Sequence, residues 1–457
     1  MIVMKFGGSS IESADAVQRV TGIIAGRAHR PLLVVVSAMG KTTDRLIEIG
    51  RTAANGDIDG ALRKLDSLRE FHAVETASVV APQAEAALEI HFEDHFHELA
   101  ELLRGLSILG ELSARSLDVL SSYGERLSSV VITEALRARG LAAEHIDARE
   151  VIVTDDRFGE ASPLVDETNA RLARLVRPLI DAGRIPVMGG FIASTMNGIT
   201  STLGRGGSDF TASLVGAGLA AEEIEIWTDV DGVLTADPSL ISPARRIRIM
   251  SFAEASELAY FGARVLHPST MLPAVRNNIP IRVLNSRKAE VEGTLIVAEH
   301  AEGQSIIKSI AYQEGITVVE VRSTRMLMAH GFLAKIFEVF DRYETSVDMV
   351  TTSEVSVSLT IDDTTHLPDM VQELQQFAEV TPVSDQGIVC VVGDNIGYTP
   401  GIAARIFQAL EQINIRMISQ GASRLNVSLV VDEKDLRRTV EALHATFFSQ
   451  VNKKVFA

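Results

Sequence analysis

The feature that most constrains the fold is the N-terminal run Ile2-Val3-Met4-Lys5-Phe6, followed by Gly7-Gly8-Ser9-Ser10. Apolar residues around one lysine read as a buried strand and the two glycines as a tight turn. Val17, Val20 and Ile24 then recur at helical spacing. A strand that turns through glycine into a helix N-terminus presents a row of backbone N–H groups to an anion. Lys5 adds a compact, mobile cation at the strand end. The pattern is not the GxxxxGK[ST] of P-loop proteins. Taken alone it therefore reads as an ordinary strand–helix turn with a lysine at its edge, so the rest of the chain decides.

Residues 1 to about 290 alternate strand and helix patterns, the mark of an α/β domain. Leu32-Leu33-Val34-Val35-Val36 is unbroken apolar sequence, as in a parallel sheet covered on both faces. It runs into the polar loop Ser37-Ala38-Met39-Gly40-Lys41-Thr42-Thr43-Asp44, and strand ends of this kind are where such sheets bind ligands. Ser122 to Ser129 forms a polar patch opening a helix, and Ile185 to Gly190 is another strand ending in glycines. The densest polar stretch is Leu203-Gly204-Arg205-Gly206-Gly207-Ser208-Asp209. The strand Glu223 to Trp227 follows, then Thr228-Asp229-Val230-Asp231-Gly232 and Asp237-Pro238. His91 and His95 have i,i+4 spacing without an HExxH pattern, and read as a solvated helix face.

Beyond about residue 295 two units resemble each other at an offset of about 70 residues. Gly331-Phe332-Leu333-Ala334-Lys335-Ile336-Phe337 answers Gly401-Ile402-Ala403-Ala404-Arg405-Ile406-Phe407, and Val357-Ser358-Leu359 answers Val427-Ser428-Leu429. Each reads as a βαββαβ module. We place the first at about 314–380 and the second at about 385–455, the latter completed by a strand at 305–313. The domain expectation is thus 1–292 for a catalytic domain and 293–457 for a regulatory region. At 457 residues, more than one core is required.

Charge narrows the function. Lys plus Arg number 43 against 60 Asp plus Glu, a net −17, which argues against broad binding to nucleic acid or anionic membranes. The single cysteine, Cys390, sits in an apolar run and allows no internal disulfide, which suits a cytoplasmic protein. No apolar run is long enough to span a bilayer. Lys5, the Arg205–Asp209 loop and Thr228–Asp237 suit a nucleotide and a small acid. A carboxylate acceptor is already ionised at neutral pH and needs no general base. Bringing two anions together does need cations, here Lys5, Arg205 and Mg²⁺.

With these motifs in hand, the chain resembles the aspartokinases over nearly its whole length. Lys5-Phe6-Gly7-Gly8-Ser9-Ser10 is similar to the family's KFGG[ST]S signature. Ser37-Ala38, Gly124-Glu125, Leu203 to Asp209, Trp227 to Gly232 and Phe261 to Pro268 follow in the family's order. The resemblance implies an amino-acid-kinase-type α/β sandwich with a mainly parallel sheet, followed by two α+β, ferredoxin-like ACT modules. It implies transfer of the ATP γ-phosphoryl group to the aspartate β-carboxylate, the step that opens lysine, threonine and methionine synthesis. Lys5, Arg205 and Asp209 are the implied catalytic residues. Ser37, Thr43, Glu125, Arg205 and Ser208 would bind aspartate, with Arg205 on its α-carboxylate and Glu125 on its ammonium. Lys5, Gly7, Gly8, Ser9, Thr228, Asp229, Leu234, Asp237, Ser239 and Arg264 would bind MgATP, no dedicated protein metal site being implied. Leu234 stands where many members have tyrosine, Ser239 where arginine is common, and Arg264 where lysine is common. Thr43 reads equally as a helix cap, Ser128 and Ser129 as packing residues, and Asp237 as a turn residue before Pro238.

The ACT pair implies feedback by an amino acid bound at a shared interface in a homodimer or tetramer. Met326, Ala329, Gly331, Phe332, Leu333, Val347, Asp348, Ser353, Glu354 and Val355 are similar to the effector site of lysine-sensitive members. Gln420 to Ser423 and Asn426 are similar to residues that help bind threonine elsewhere, so lysine, threonine or both remain open as effectors. Two other readings stand beside this one. One is a kinase of the same fold acting on glutamate. The other is an amino-acid sensor on an inactive kinase scaffold. A dehydrogenase is disfavoured because no GxGxxG follows the first strand.

Overall fold

The computed structural model describes residues 1–457 except 262–265, 299–306, 324–329, 451 and 454. The chain forms two compact units, Met1–Val233 with Leu266–His300, and Leu234–Val265 with Ala301–Ala457. Leu234–Val265 therefore packs in the second unit, although the sequence placed it ahead of a single boundary at 292. Its bonds give the reason. The Ile310 N–H donates to the Thr235 carbonyl at 2.9 Å, and the Ser309 hydroxyl to the Leu234 carbonyl at 2.8 Å. Thr235 Oγ1 also lies 2.9 Å from His444 Nε2.

In the first unit Ile2–Phe6 is a central strand, parallel to Leu32–Val36 on one side and to Glu223–Thr228 on the other. The sheet continues outward through Ile185–Gly189 and Ala143–Ile146 in one direction, and through Ile281–Asn285 and antiparallel Thr294–Val297 in the other. Every residue of Ile2–Phe6 and Leu32–Val36 is buried, which is why those runs carry no polar alternation. Because neighbouring strands in the middle of the sheet are parallel, their C-terminal ends emerge on one edge, where α/β sheets bind ligands. A smaller sheet joins Val153–Thr154, Ile192–Thr195 and Thr200–Thr202.

The helix Ala114–Ala138 turns an inward face of small and polar residues, among them Ser121, Ser122, Gly124, Glu125, Ser128 and Ser129. Helices Ile58–Ala77 and Pro82–Leu109 add an apolar layer through Leu65, Leu68, Phe92, Phe96, Leu99 and Leu103. Here the structure corrects the sequence reading of His91 and His95. Both are half-buried, their ring centroids 4.1 Å apart, and burial followed by the Arg126 charge lowers the pKa of each. No described helix is long and apolar enough to cross a membrane.

The second unit is built on one six-stranded sheet. Its order is Val350–Thr352, Ser356–Ile361, Ile307–Arg322, Glu379–Gly393, Asn426–Asp432 and Ile415–Gln420. The two long central strands pair antiparallel along their length, with register irregularities near Gln313 and Ile316. Ile307–Gln313 lies against Ile388–Gly393 in the half containing the second repeat. Val318–Arg322 lies against Glu379–Val383 in the half containing the first.

Candidate active site

In the first unit the strand ends converge because glycine lets backbones touch. A Cβ on Gly8 would lie 2.8 Å from the Gly40 carbonyl oxygen and 2.9 Å from that of Ala38. Only glycine allows the turn after the first strand to rest on the loop after the second. The Gly40 N–H closes that contact by donating to the Gly8 carbonyl at 3.1 Å. On the other side the Trp227 carbonyl accepts from the Gly7 N–H at 3.1 Å and from the Ser10 hydroxyl at 3.3 Å. The Trp227 and Phe6 rings stack 5.9 Å apart. Ser9 lies in the short 3₁₀ turn Gly8–Ser10.

Lys5 extends from the central strand to Asp209, with Nζ 2.6 Å from Oδ1 and both side chains largely buried. Asp209 sits in the first turn of the helix Gly207–Gly218, where the helix dipole favours a negative charge, and Ser208 is buried beside it. Arg205 is exposed on the loop before that helix. Glu125 is 4 % exposed. Its Oε1 accepts from the Ala38 N–H at 3.0 Å and its Oε2 has no hydrogen-bond partner among the described residues. Burial pushes its carboxyl up to about 8, against that hydrogen bond and the Lys5 charge. Ser37 is held by its own backbone: its N–H donates to the Phe6 carbonyl at 3.0 Å and its carbonyl accepts from the Ser128 hydroxyl at 2.7 Å. Ser128 therefore ties helix to loop rather than only filling space. Thr43 is half-buried in the first turn of Thr42–Ala54, facing Gly124. Its neighbour Thr42 donates to the Met39 carbonyl at 2.6 Å and lies 3.1 Å from Nε2 of the buried His72.

The remaining nucleotide assignments divide between the units. Thr228 and Asp229 end a strand of the first, their side chains hydrogen-bonded at 3.2 Å, with Asp229 exposed. Leu234, Asp237 and Ser239 lie in the second. Asp237 Oδ1 accepts from the Ser239 N–H at 2.8 Å and its hydroxyl at 2.6 Å, while Oδ2 accepts from the Tyr312 hydroxyl at 3.2 Å. Arg264 lies outside the described residues, as do Met326 and Ala329 of the effector assignment.

Of the other effector residues, Gly331 caps the helix Phe332–Arg342, with Phe332 buried and Leu333 partly exposed. Val347 and Asp348 precede the edge strand Val350–Thr352, and Ser353, Glu354 and Val355 form the turn after it. Asp348 and Glu354 thus stand at opposite ends of that strand. Asp348 Oδ2 is buried with no hydrogen-bond partner among the described residues, and burial, then the Asp362 charge, push the carboxyl up to about 6 against a hydrogen bond from the Thr360 side chain. Glu354 is exposed, and the Ser353 hydroxyl is taken up within the turn by the Ser356 N–H at 3.1 Å. In the second repeat, Ser423 donates to Glu257 Oε1 at 2.6 Å and Asn426 to Glu257 Oε2. A carboxylate of the chain itself occupies those donors.

Sequence reasoning missed several residues that shape the site. Trp227 acts through its carbonyl, Thr42 and His72 brace the loop, and Asp118 bonds to the segment ahead of Arg205. For Asp118 a signal was present, since it lies seven residues before Glu125 on one helix face.

The lysine of the central strand paired with an aspartate at a helix N-terminus, beside a glutamate buried in a neighbouring helix, sits in a domain of the amino acid kinase class. The Amino acid kinase family description matches residues 1–285, and an ACT domain description matches 389–447. Within that class the chain belongs to the aspartokinases. It is 38% identical to chloroplastic aspartokinase 1 of Arabidopsis thaliana, covering 98% of this chain and 80% of that one. It is 36% identical to lysine-sensitive aspartokinase 3 of Escherichia coli strain K12, covering 98% and 99%. The crystal structure of E. coli aspartokinase III with aspartate and ADP superposes with a TM-score of 0.84 at 36% identity, covering 98% of this chain and all of that one. The same enzyme's T-state complex with lysine and aspartate gives 0.82 at 35%, covering 98% and 99%.

Proposed function

We propose that the chain transfers the γ-phosphoryl group of ATP to the β-carboxylate of L-aspartate, giving 4-phospho-L-aspartate and ADP. The observation that carries this reading is the buried Lys5–Asp209 ion pair beside a glutamate with one free buried oxygen. The acceptor carboxylate is ionised and attacks phosphorus directly, so the site needs no base. What it needs is positive charge where two anions meet. Lys5 supplies that charge and Asp209 holds it at the helix N-terminus. Arg205, Glu125, Ser37, Thr43 and Ser208 select the substrate, and Glu125 Oε2 suits an ammonium. The turn Gly7–Ser9 with Thr228 and Asp229 serves the nucleotide, joined in this assignment by Leu234, Asp237, Ser239 and Arg264. Among the described residues no three metal-type side chains gather. In this reading Mg²⁺ comes with the nucleotide and screens the charge of the triphosphate oxygens.

Lysine is the effector we favour. A half-buried carboxyl at Asp348 with one unpartnered oxygen and an acidic turn at Glu354, at the two ends of one short strand, suit an extended cationic amino acid. The Glu257 carboxylate seated on Ser423 and Asn426 disfavours threonine in the second repeat. Assembly as a homodimer through the ACT modules belongs to the same reading.

An aspartyl hydroxamate assay with MgATP tests the reaction. Wild-type protein should turn over aspartate, and Lys5→Ala should lower kcat at least about 100-fold, the scale of a lost transition-state electrostatic contact. Faster phosphorylation of glutamate than of aspartate would overturn the proposal.

A further inference from the structure

Asp118 is a carboxylate in the interior of the first unit, 1 % exposed, that the reaction does not use. Its Oδ2 accepts from the Gly159 N–H at 3.0 Å and the Thr202 N–H at 3.1 Å. Its Oδ1 accepts from the Thr202 hydroxyl at 2.6 Å. Burial pushes its carboxyl up, and these three bonds oppose that shift. Both oxygens are therefore committed, and two of the three bonds go to one residue.

Thr202 is where the Arg205 loop begins. Its carbonyl accepts from the Ala161 N–H at 2.9 Å, and the next residue, Leu203, donates to the Phe191 carbonyl at 2.9 Å. The chain then turns through Gly204 and Gly206, both at φ +71°. It is pinned again where the Gly207 N–H donates to the Gly204 carbonyl at 3.0 Å. Arg205, exposed between these glycines, has no ion pair among the described residues. The placement of its guanidinium thus depends on how the two ends of the loop are anchored.

The anchor at the Thr202 end belongs to the helix that carries Glu125. Asp118 and Glu125 are seven residues apart, so they share a face of Ala114–Ala138 about 10 Å apart along its axis. We infer that Asp118 is a positioning residue for substrate recognition: it ties the Arg205 loop to the helix bearing Glu125, so that one rigid helix sets the spacing between the groups that receive an amino acid's α-carboxylate and its ammonium. This inference rests on the assignment of Arg205 and Glu125 to those two groups. It adds a determinant that neither residue supplies alone.

The test compares Asp118→Ala, Asp118→Asn and Thr202→Val with wild type, reading KM for aspartate, KM for ATP, kcat and Tm. Asparagine keeps the shape, and its carbonyl oxygen can still accept from both N–H groups while its amide faces the Thr202 hydroxyl. We expect Asp118→Ala to raise the aspartate KM about tenfold or more, Thr202→Val to raise it about threefold, and Asp118→Asn to restore it to within about twofold, in line with the number of bonds each removes. KM for ATP should stay within about twofold in all three. Calorimetric titration of aspartate into each variant should give the same ranking without turnover. A change below twofold in the aspartate KM of folded Asp118→Ala, or an equal rise for both substrates, overturns the inference. If Asp118→Ala does not fold, an unchanged aspartate KM in Thr202→Val overturns it. Failure of the wild type to use aspartate would instead sink the reaction assignment, so the two failures are distinct.

Discussion

Glu125 is a carboxyl group kept out of water with one oxygen bonded and the other without a hydrogen-bond partner among the described residues. Removing a carboxylate from water disfavours its charge, and burial raises this one to about 8. The free site therefore holds a protonated Glu125 below that value. An arriving ammonium reverses the balance by favouring the ionised form. Binding of aspartate should accordingly release a proton between about pH 6 and 8. The sign follows directly: the proton must leave before the ion pair forms, so binding tightens as pH rises and levels off above about 8. Calorimetry in two buffers of different ionisation enthalpy reads the released proton, and the aspartate KM should fall several-fold from pH 6.5 to 8. Glu125→Gln has nothing to titrate. Its aspartate KM should be raised at least about tenfold and be flat over that range, because a charge-assisted hydrogen bond is lost. A pH-dependent KM in Glu125→Gln would place the proton on another group.

At the scale of elements, the site is made by a helix lying directly on a loop. A Cβ on Gly124 would lie 2.6 Å from the Ala38 Cβ and 3.1 Å from the Thr43 hydroxyl. Gly124→Ala should push Ala114–Ala138 away from the loop after the second strand, costing about 1–3 kcal/mol as overpacking does. A lowered Tm measures the cost. The aspartate KM should rise with it, because Ser37, Thr43 and Glu125 all border the contact. An unchanged Tm and KM would mean the helix has room to spare. The elements themselves were legible in the sequence, because a buried parallel strand writes its burial into consecutive residues and Gly7-Gly8 follows directly. Contacts made across the chain were not legible. Asp118 meets partners 41 and 84 residues away, and no local pattern encodes such a pairing. His91 and His95 looked solvated because their spacing fits any helix face. His95 meets the Tyr123 ring edge-on and both imidazoles feel the Arg126 charge, from residues far along the chain. The bonds of Ser128 and Thr42 were hidden for a similar reason: a small hydroxyl in sequence does not say which carbonyl it will bond.

At the scale of the whole molecule, the kinase-family match runs to residue 285, yet Leu234–Val265 packs in the unit that carries the ACT sheet. That segment holds four of the proposed nucleotide residues, Leu234, Asp237, Ser239 and Arg264. Its bonds to the sheet are direct: Ile310 to Thr235, Ser309 to Leu234 and Tyr312 to Asp237. An effector that shifts the sheet therefore acts first on residues assigned to ATP, not on Arg205 or Glu125, which belong to the first unit. Lysine should thus raise KM for ATP more than KM for aspartate. Reciprocity requires that a nucleotide weakening lysine binding by some factor be itself weakened by lysine to the same extent, measurable by titrating each in the presence of the other. Asp348→Ala removes the half-buried carboxyl proposed to meet the effector's ammonium and should abolish inhibition by lysine while leaving kcat without lysine near wild type. Tyr312→Phe is the sharper test, because it deletes only the hydroxyl that joins the sheet strand to Asp237. It should preserve lysine binding, measured calorimetrically, and reduce the lysine-induced rise in ATP KM by at least about threefold, the scale of one hydrogen bond to a charged group. If Tyr312→Phe leaves that rise intact, the coupling runs through the backbone bonds of Leu234 and Thr235, and Ser309→Ala should then weaken it.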